Sequence, residues 1–388
     1  MLLPEKLRPH YSAFLEAGRV LLTGHSHQAW PDAAREGQLE AFDDAARHAD
    51  DKWGAAFAAA DAVRAYVGRL LDCAPSQVAL APNTHELVTR MLSACDLRGR
   101  PHLVTTTGEF HSITRQLKRA KGLVDVTWVE AQPAATLAER LAAAVTERTA
   151  AVLVSTVLFE TSERVPNLPE LVRSARAKGA EVLLDAYHAF GVVPFTVAEL
   201  GAQDAFIVAG GYKYAQWGEG TCFMRVPPRA FEPVLTGWFA GFGDLAHARG
   251  ETIGWGASGA ERFAGSTYDP TSHYRARAVI RFFTREGLNV ARLRELSLEQ
   301  TSRMFELLEG LDVVTPREPE RRGGFVSIRL PDAAAVAKRL HGRGVLVDHR
   351  GELLRLGPAP YTLDEELERG CREAAAAARA EGVKVVTP

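Results

Sequence analysis

The sequence predicts an α/β protein in which a mainly parallel sheet, covered by helices on both faces, is followed by a smaller α+β unit. Short apolar, β-branched runs alternate with helical segments through the middle of the chain, the pattern of strand–helix–strand crossovers. From about residue 271 the alternation gives way to two long helical segments, and then to strands and helices in another order. The chain has 388 residues, 46% of them hydrophobic and 24% charged, which is globular composition and room for roughly two or three domains.

The first fifty residues carry one amphipathic helix, 31–48, and this 1–50 segment is expected to pack on the C-terminal unit or on a partner subunit. The large unit, 51–270, opens with a helix at 52–71, where Trp53, Phe57, Val63, Tyr66, Val67 and Leu70 recur at helical spacing. A helix at 86–95 follows. Strands are expected at 102–106, 124–129, 151–157, 181–184, 205–208 and 221–225, with helices at 135–145 and 168–178. The small unit, 271–388, reads as helices 273–284 and 290–308, strand 324–330, helix 333–341, strands 344–347 and 353–356, and a closing helix 363–380.

Charge and cysteine content narrow the function. Lys and Arg (46) nearly balance Asp and Glu (48), which argues against a nucleic-acid footprint or a polybasic membrane patch. Cys73, Cys95, Cys222 and Cys371 are scattered, so neither a disulfide framework nor a metal site is expected. No run of about 18 apolar residues occurs, and Met1-Leu-Leu-Pro-Glu-Lys6 lacks the basic flank of a signal peptide. The expectation is a cytoplasmic protein acting on a small molecule.

Ligands of open α/β sheets sit beyond the carboxyl ends of the strands, so polar residues just after apolar runs are the candidates. Asp185 follows Leu183-Leu184, and Lys213 lies just past Ile207-Val208-Ala209-Gly210. A lysine in a dry pocket or beside another cation loses its proton and can attack a carbonyl to form an imine. A carboxylate at the same edge can keep a pyridinium nitrogen protonated. Taken singly, Asp185 also fits a helix cap and Lys213 a surface loop. Asn83 and Thr84, between a strand and a helix, fit either simple N-capping or a phosphate site. Phe110 fits either a core aromatic or a ring stacked on a ligand.

The segments Asp185-Ala-Tyr-His188-Ala-Phe-Gly-Val-Val-Pro-Phe and Gly211-Tyr-Lys213-Tyr resemble the aspartate-to-lysine region of the class V aminotransferase superfamily, and within it they are similar to kynureninases. The resemblance, from Gly24 to about Tyr361, implies a fold-type-I pyridoxal-phosphate enzyme with a mainly parallel seven-stranded sheet. It implies that Lys213 forms a Schiff base with pyridoxal 5'-phosphate, Asp185 pairs with the ring nitrogen, His188 lines the pocket and Tyr212 contacts the phosphate. Asn83 and Thr84 are implied at the phosphate too, and Phe110 on the ring. The family's aspartate three residues after that aromatic is here Ile113. Gly237-Trp238 matches a pocket tryptophan. Arg262-Phe-Ala-Gly-Ser266-Thr267 resembles a segment whose hydroxyl reaches the phosphate of the neighbouring subunit, which implies a homodimer with shared sites. Arg355, in Leu353-Leu-Arg-Leu-Gly-Pro-Ala-Pro-Tyr361, is implied for the substrate α-carboxylate, a role that suits the guanidinium fork. Ser26, with His25 or His27, is expected to touch substrate.

The implied reaction is hydrolysis of the Cβ–Cγ bond of L-kynurenine or a related amino acid to anthranilate and L-alanine, a step of tryptophan catabolism. It needs a proton carrier near the side-chain carbonyl, for which Tyr212, Tyr214 or a histidine is suitable. Two rivals share the cofactor: a class V aminotransferase, and a cysteine desulfurase or C–S lyase, suggested by Glu109-Phe-His-Ser112. The latter needs a thiolate on a mobile loop, whereas Cys222 reads as a strand residue and Cys371 as a helix residue. A non-catalytic binding module on the same fold is a further alternative, and the presence of both Lys213 and Asp185 argues against it.

Overall fold

Strands buried on both faces need near-continuous apolar runs, and the chain supplies them between polar ends. Thr149–Ser155 and Phe206–Gly210 are buried throughout, and Glu181–Asp185 at all but its first residue. The computed structural model describes residues 3–15, 18–244, 254–255 and 259–381. Its large sheet has seven strands, in the order Val78–Ala81, Cys222–Arg225, Phe206–Gly210, Glu181–Asp185, Thr149–Ser155, His102–Thr106, Asp125–Val129. Cys222–Arg225 is antiparallel to both of its neighbours, and the remaining pairs are parallel. Six strands therefore present their carboxyl ends, and the seventh its amino end, to one edge. Ser155 stands beside Asp185 there, and Gly210 beside Cys222.

The C-terminal unit is a three-stranded antiparallel sheet, Asp348–Arg350, Leu353–Leu356, Val326–Arg329. Its core joins Ile328 and Leu354 to Val336 and Leu340 of helix Ala333–His341 and to Leu367 and Cys371 of helix Asp364–Ala380. Within the N-terminal segment Val20–Leu21 pairs with Val345–Leu346 of this unit, while Leu7, Tyr11 and Ala34 join the core of the large sheet. The segment thus ties the two units together.

One helix lies elsewhere than the expected boundary at residue 271 implies. Thr271–Arg285 packs on helices Asp32–His48 and Trp53–Leu71, and Ala276, Val279 and Phe282 enter the core of the large sheet. Its apolar stripe meets alanine-rich helix faces there, a pairing that sequence position alone does not reveal. No helix among the described residues is long and apolar enough to cross a membrane.

Candidate active site

Asp185 ends its strand with the carboxylate turned back on the following turn, where it accepts the Tyr187 N–H at 2.8 Å. Burial raises its pKa, opposed by that hydrogen bond and by the charge of Lys213. Lys213 sits in the turn after Phe206–Gly210. The turn needs glycine at 211, since a Cβ there would lie 2.3 Å from the Trp217 ring. Lys213 is 4% exposed, and its Nζ lies 2.8 Å from His188 Nε2. Burial brings its pKa down to about 7, with Asp185 opposing and Arg355 and Arg350 adding to the shift. His188 is held neutral, by burial first and then by the lysine charge.

Three rings surround the amine, with centroids 4.6 Å (Tyr187), 5.4 Å (Phe110) and 5.6 Å (Tyr212) from Nζ. Across from them helix Thr84–Ser93 begins. Asn83 caps it, accepting the Glu86 N–H at 2.9 Å, and the Thr84 hydroxyl lies 3.3 Å from Ser112 Oγ. Asn83, Thr84, Phe110, Asp185, His188, Tyr212 and Lys213 line one cavity of about 200 Å³. Helix-start amides, an aromatic face, a carboxylate and a depressed amine thus converge from four strand ends.

Arg355 lies deeper, 1% exposed, on Leu353–Leu356. It pairs with Asp348 on the adjacent strand and donates to the Phe159 carbonyl. Its guanidinium rests 5.8 Å from the Phe159 ring and 5.7 Å from that of Phe325. Its Nε is buried without a hydrogen-bond partner among the described residues, as are both ring nitrogens of His25. His25 stacks on Phe325 at 4.5 Å, with its Nε2 3.8 Å from Asp348. Burial and then Arg355 hold it neutral. Ser26 donates to the Thr23 carbonyl at 3.2 Å.

Ser266 and Thr267 line a different and wider cavity, about 1370 Å³, which shares Pro82 and Gly220 with the first. Trp238 is 45% exposed and packs on Phe239 and Phe242. Within one chain these three residues are not brought to Lys213.

Several residues at the site had no assigned role in the sequence. Glu109 is buried against Ser155, whose N–H and hydroxyl donate to it at 2.9 and 2.6 Å. Burial pushes it up to about 7, Ser155 and Thr106 opposing. Tyr187 lines the cavity, and so does Cys222, set aside on sequence as a strand residue. Burial pushes the Cys222 thiol up to about 12, so it supplies no thiolate. The Glu109 shift has a measurable consequence. Between pH 4.5 and about 7 Glu109 holds a proton in the fold that it loses on unfolding, so its stabilising contribution falls as pH rises through that window. Glu109→Gln is expected to flatten that part of the stability–pH curve by an amount on the order of 3 kcal/mol. Urea midpoints at about pH 5 and about pH 8 read this, and an unchanged slope would count against a buried, protonated Glu109.

Residues 291–373, which include Asp348 and Arg355, match the family model of the kynureninase C-terminal domain. A kynureninase of Xanthomonas oryzae pv. oryzae is 30% identical over 328 residues, covering 77% of this chain and 75% of that protein. The chain belongs to the kynureninase family. Among solved structures, the apo cysteine desulfurase of Thermococcus onnurineus NA1 superposes with a TM-score of 0.79 at 19% identity, covering 98% of this chain and 99% of that one. A C-DES variant with glycine covalently linked to its PLP cofactor also gives 0.79, at 17% identity over 95% and 98% of the two chains. At such identities these two neighbours speak for the fold, which is that of fold-type-I enzymes. The kynureninases speak for an enzyme.

Proposed function

We propose that this chain is a pyridoxal-phosphate-dependent hydrolase that adds water across the Cβ–Cγ bond of L-kynurenine or a close relative, giving anthranilate, or its analogue, and L-alanine. The observation that carries the proposal is the buried, pKa-depressed amine of Lys213, set with Asp185, Phe110 and the start of helix Thr84–Ser93 around one cavity in a kynureninase-family chain.

The residues present fit the cofactor. An amine near neutrality can hold an aldehyde covalently, Asp185 can pair with a ring nitrogen, Phe110 offers a flat face, and Asn83, Thr84 and Tyr212 of the same cavity could hold a phosphate at the helix start. When bound, pyridoxal phosphate supplies an electron sink for negative charge developing beside the substrate nitrogen. The chain's own groups do the rest. The Lys213 amine can take a proton from the substrate Cα and return one, a task suited to a pKa of about 7. Tyr212, pushed up to about 12 by burial, keeps its phenolic proton and can hand it to the side-chain carbonyl oxygen as water adds. Arg355 orients the α-carboxylate, and Ser26 and His25 face the substrate from the N-terminal turn. Two copies are proposed to share sites, with Trp238, Ser266 and Thr267 of each completing the cavity of the other.

Incubating the cofactor-loaded protein with kynurenine and 3-hydroxykynurenine should release the corresponding anthranilate, read by fluorescence, and an equal amount of alanine. Amino transfer to a keto acid without alanine release would select the aminotransferase reading instead.

A further inference from the structure

We infer that Tyr187 forms a second aromatic wall of the cofactor cavity, so that a flat heteroaromatic ring joined to Lys213 is held between Tyr187 on one face and Phe110 on the other. The inference rests on the reading of the cavity as a pyridoxal-phosphate site and adds a residue to it.

Tyr187 and Phe110 reach the cavity from separate places in the sheet. Phe110 follows His102–Thr106, and its ring packs against His111 at 5.2 Å and Phe159 at 5.5 Å. Tyr187 follows Glu181–Asp185, two strands away in the sheet, and packs against Tyr212 at 5.2 Å. Its hydroxyl lies 3.6 Å from the Cys222 thiol, further along the sheet in the same direction. The two rings thus lean on different neighbours, and the Lys213 amine stands within 5.4 Å of both centroids.

The backbone makes room for the tyrosine. A Cβ on residue 210 would lie 2.3 Å from the Tyr187 hydroxyl and 2.4 Å from the Cys222 sulfur, so glycine there lets the phenol lie down against the strand ends. The Tyr187 N–H is the donor that fixes the Asp185 carboxylate. One residue therefore sets both the group that would meet the ring nitrogen and a surface for the ring to rest on. Stacked aromatic pairs are offset and add affinity beyond the area they bury.

The test is a cofactor titration rather than turnover. Cofactor-free wild type, Tyr187→Phe and Tyr187→Leu are titrated with pyridoxal 5'-phosphate, following the visible absorption band, its circular dichroism and the dissociation constant. Tyr187→Phe should bind within about twofold of wild type, while Tyr187→Leu should bind about threefold to tenfold more weakly and lose visible dichroism as the ring's tilt is released. Tyr187→Met replaces the leucine variant should that one unfold. Unchanged affinity and dichroism in the leucine or methionine variant, with a normal wild-type band, would overturn the aromatic wall and leave the cofactor reading intact. Equal weakening by phenylalanine and leucine would overturn it too, since the hydroxyl and not the ring would then matter. Wild type that shows no band at any cofactor concentration would sink the inference together with the reading beneath it.

Discussion

Lys213→Ala is expected to lower kcat by at least about 10³-fold, because one side chain both anchors the cofactor and moves the Cα proton. The surroundings of the amine explain the size of the loss. Its Nζ is packed among three rings, touches a neutral imidazole and is otherwise cut off from water, so no solvent base can take its place at useful concentration. Borohydride reduction followed by peptide mapping should place a cofactor adduct on Lys213 in wild type and none in the variant. An adduct on another lysine would refute the assignment. The cofactor-free protein offers an independent check. Lys213 is depressed from 10.5 to about 7 in the fold, so the unfolded chain binds the extra proton between those values and stability rises with pH across that window. Lys213→Ala should lack the rise.

Lys213 and Asp185 were legible in the sequence because a polar residue that ends an apolar run lies at the carboxyl edge of a parallel sheet whatever the strand order. Long or strongly patterned elements were legible for a similar local reason. Helix Ala333–His341 and strands His102–Thr106 and Leu353–Leu356 begin and end where their patterns do. Helix His111–Arg119 is not legible in the sequence, since it buries only Ile113 and Leu117, too few to set a period. Strand Asp348–Arg350 is not legible in the sequence, because its three half-buried polar residues are strand only by pairing with Leu353–Leu356 across a tight turn, where Gly351 has φ +53°.

The same limit applies at the site. Nothing local marks Tyr187, Phe159 or Phe325 as site residues: only the fold brings Tyr187 to the lysine and the two phenylalanines to Arg355. Glu109 owes its raised pKa to burial and its two hydrogen bonds to Ser155, 46 residues away, and neither is visible locally. Ser266 and Thr267 line the second cavity and Trp238 packs on Phe239 and Phe242, so within one chain none of the three lines the cavity that holds the lysine.

Arg355→Ala is the second large effect expected, and it should fall on KM rather than on the cofactor. The guanidinium would give a substrate carboxylate two charge-assisted hydrogen bonds, each worth roughly 1.5–3 kcal/mol, so KM should rise at least about 10²-fold while the visible cofactor band persists. The wild-type arrangement explains why a second substitution is needed beside it. Arg355 is paired with Asp348, which also accepts from Arg350 at 2.6 Å, and removing Arg355 leaves that carboxylate with one guanidinium instead of two. Breaking a buried pair costs stability in its own right, and Arg355→Ala also removes the hydrogen bond from strand Leu353–Leu356 to the Phe159 carbonyl, so loss of activity has a structural cause beside the substrate contact. Arg355→Lys separates the two causes. It keeps a positive charge beside Asp348 and should restore most of the thermal midpoint, but a single ammonium does not reproduce the planar fork, so KM should stay well above wild type. If Arg355→Lys restores KM as fully as it restores stability, Arg355 is a structural cation and the α-carboxylate is bound elsewhere, with the His25 ring, whose nitrogens have no hydrogen-bond partner among the described residues, the first place to look.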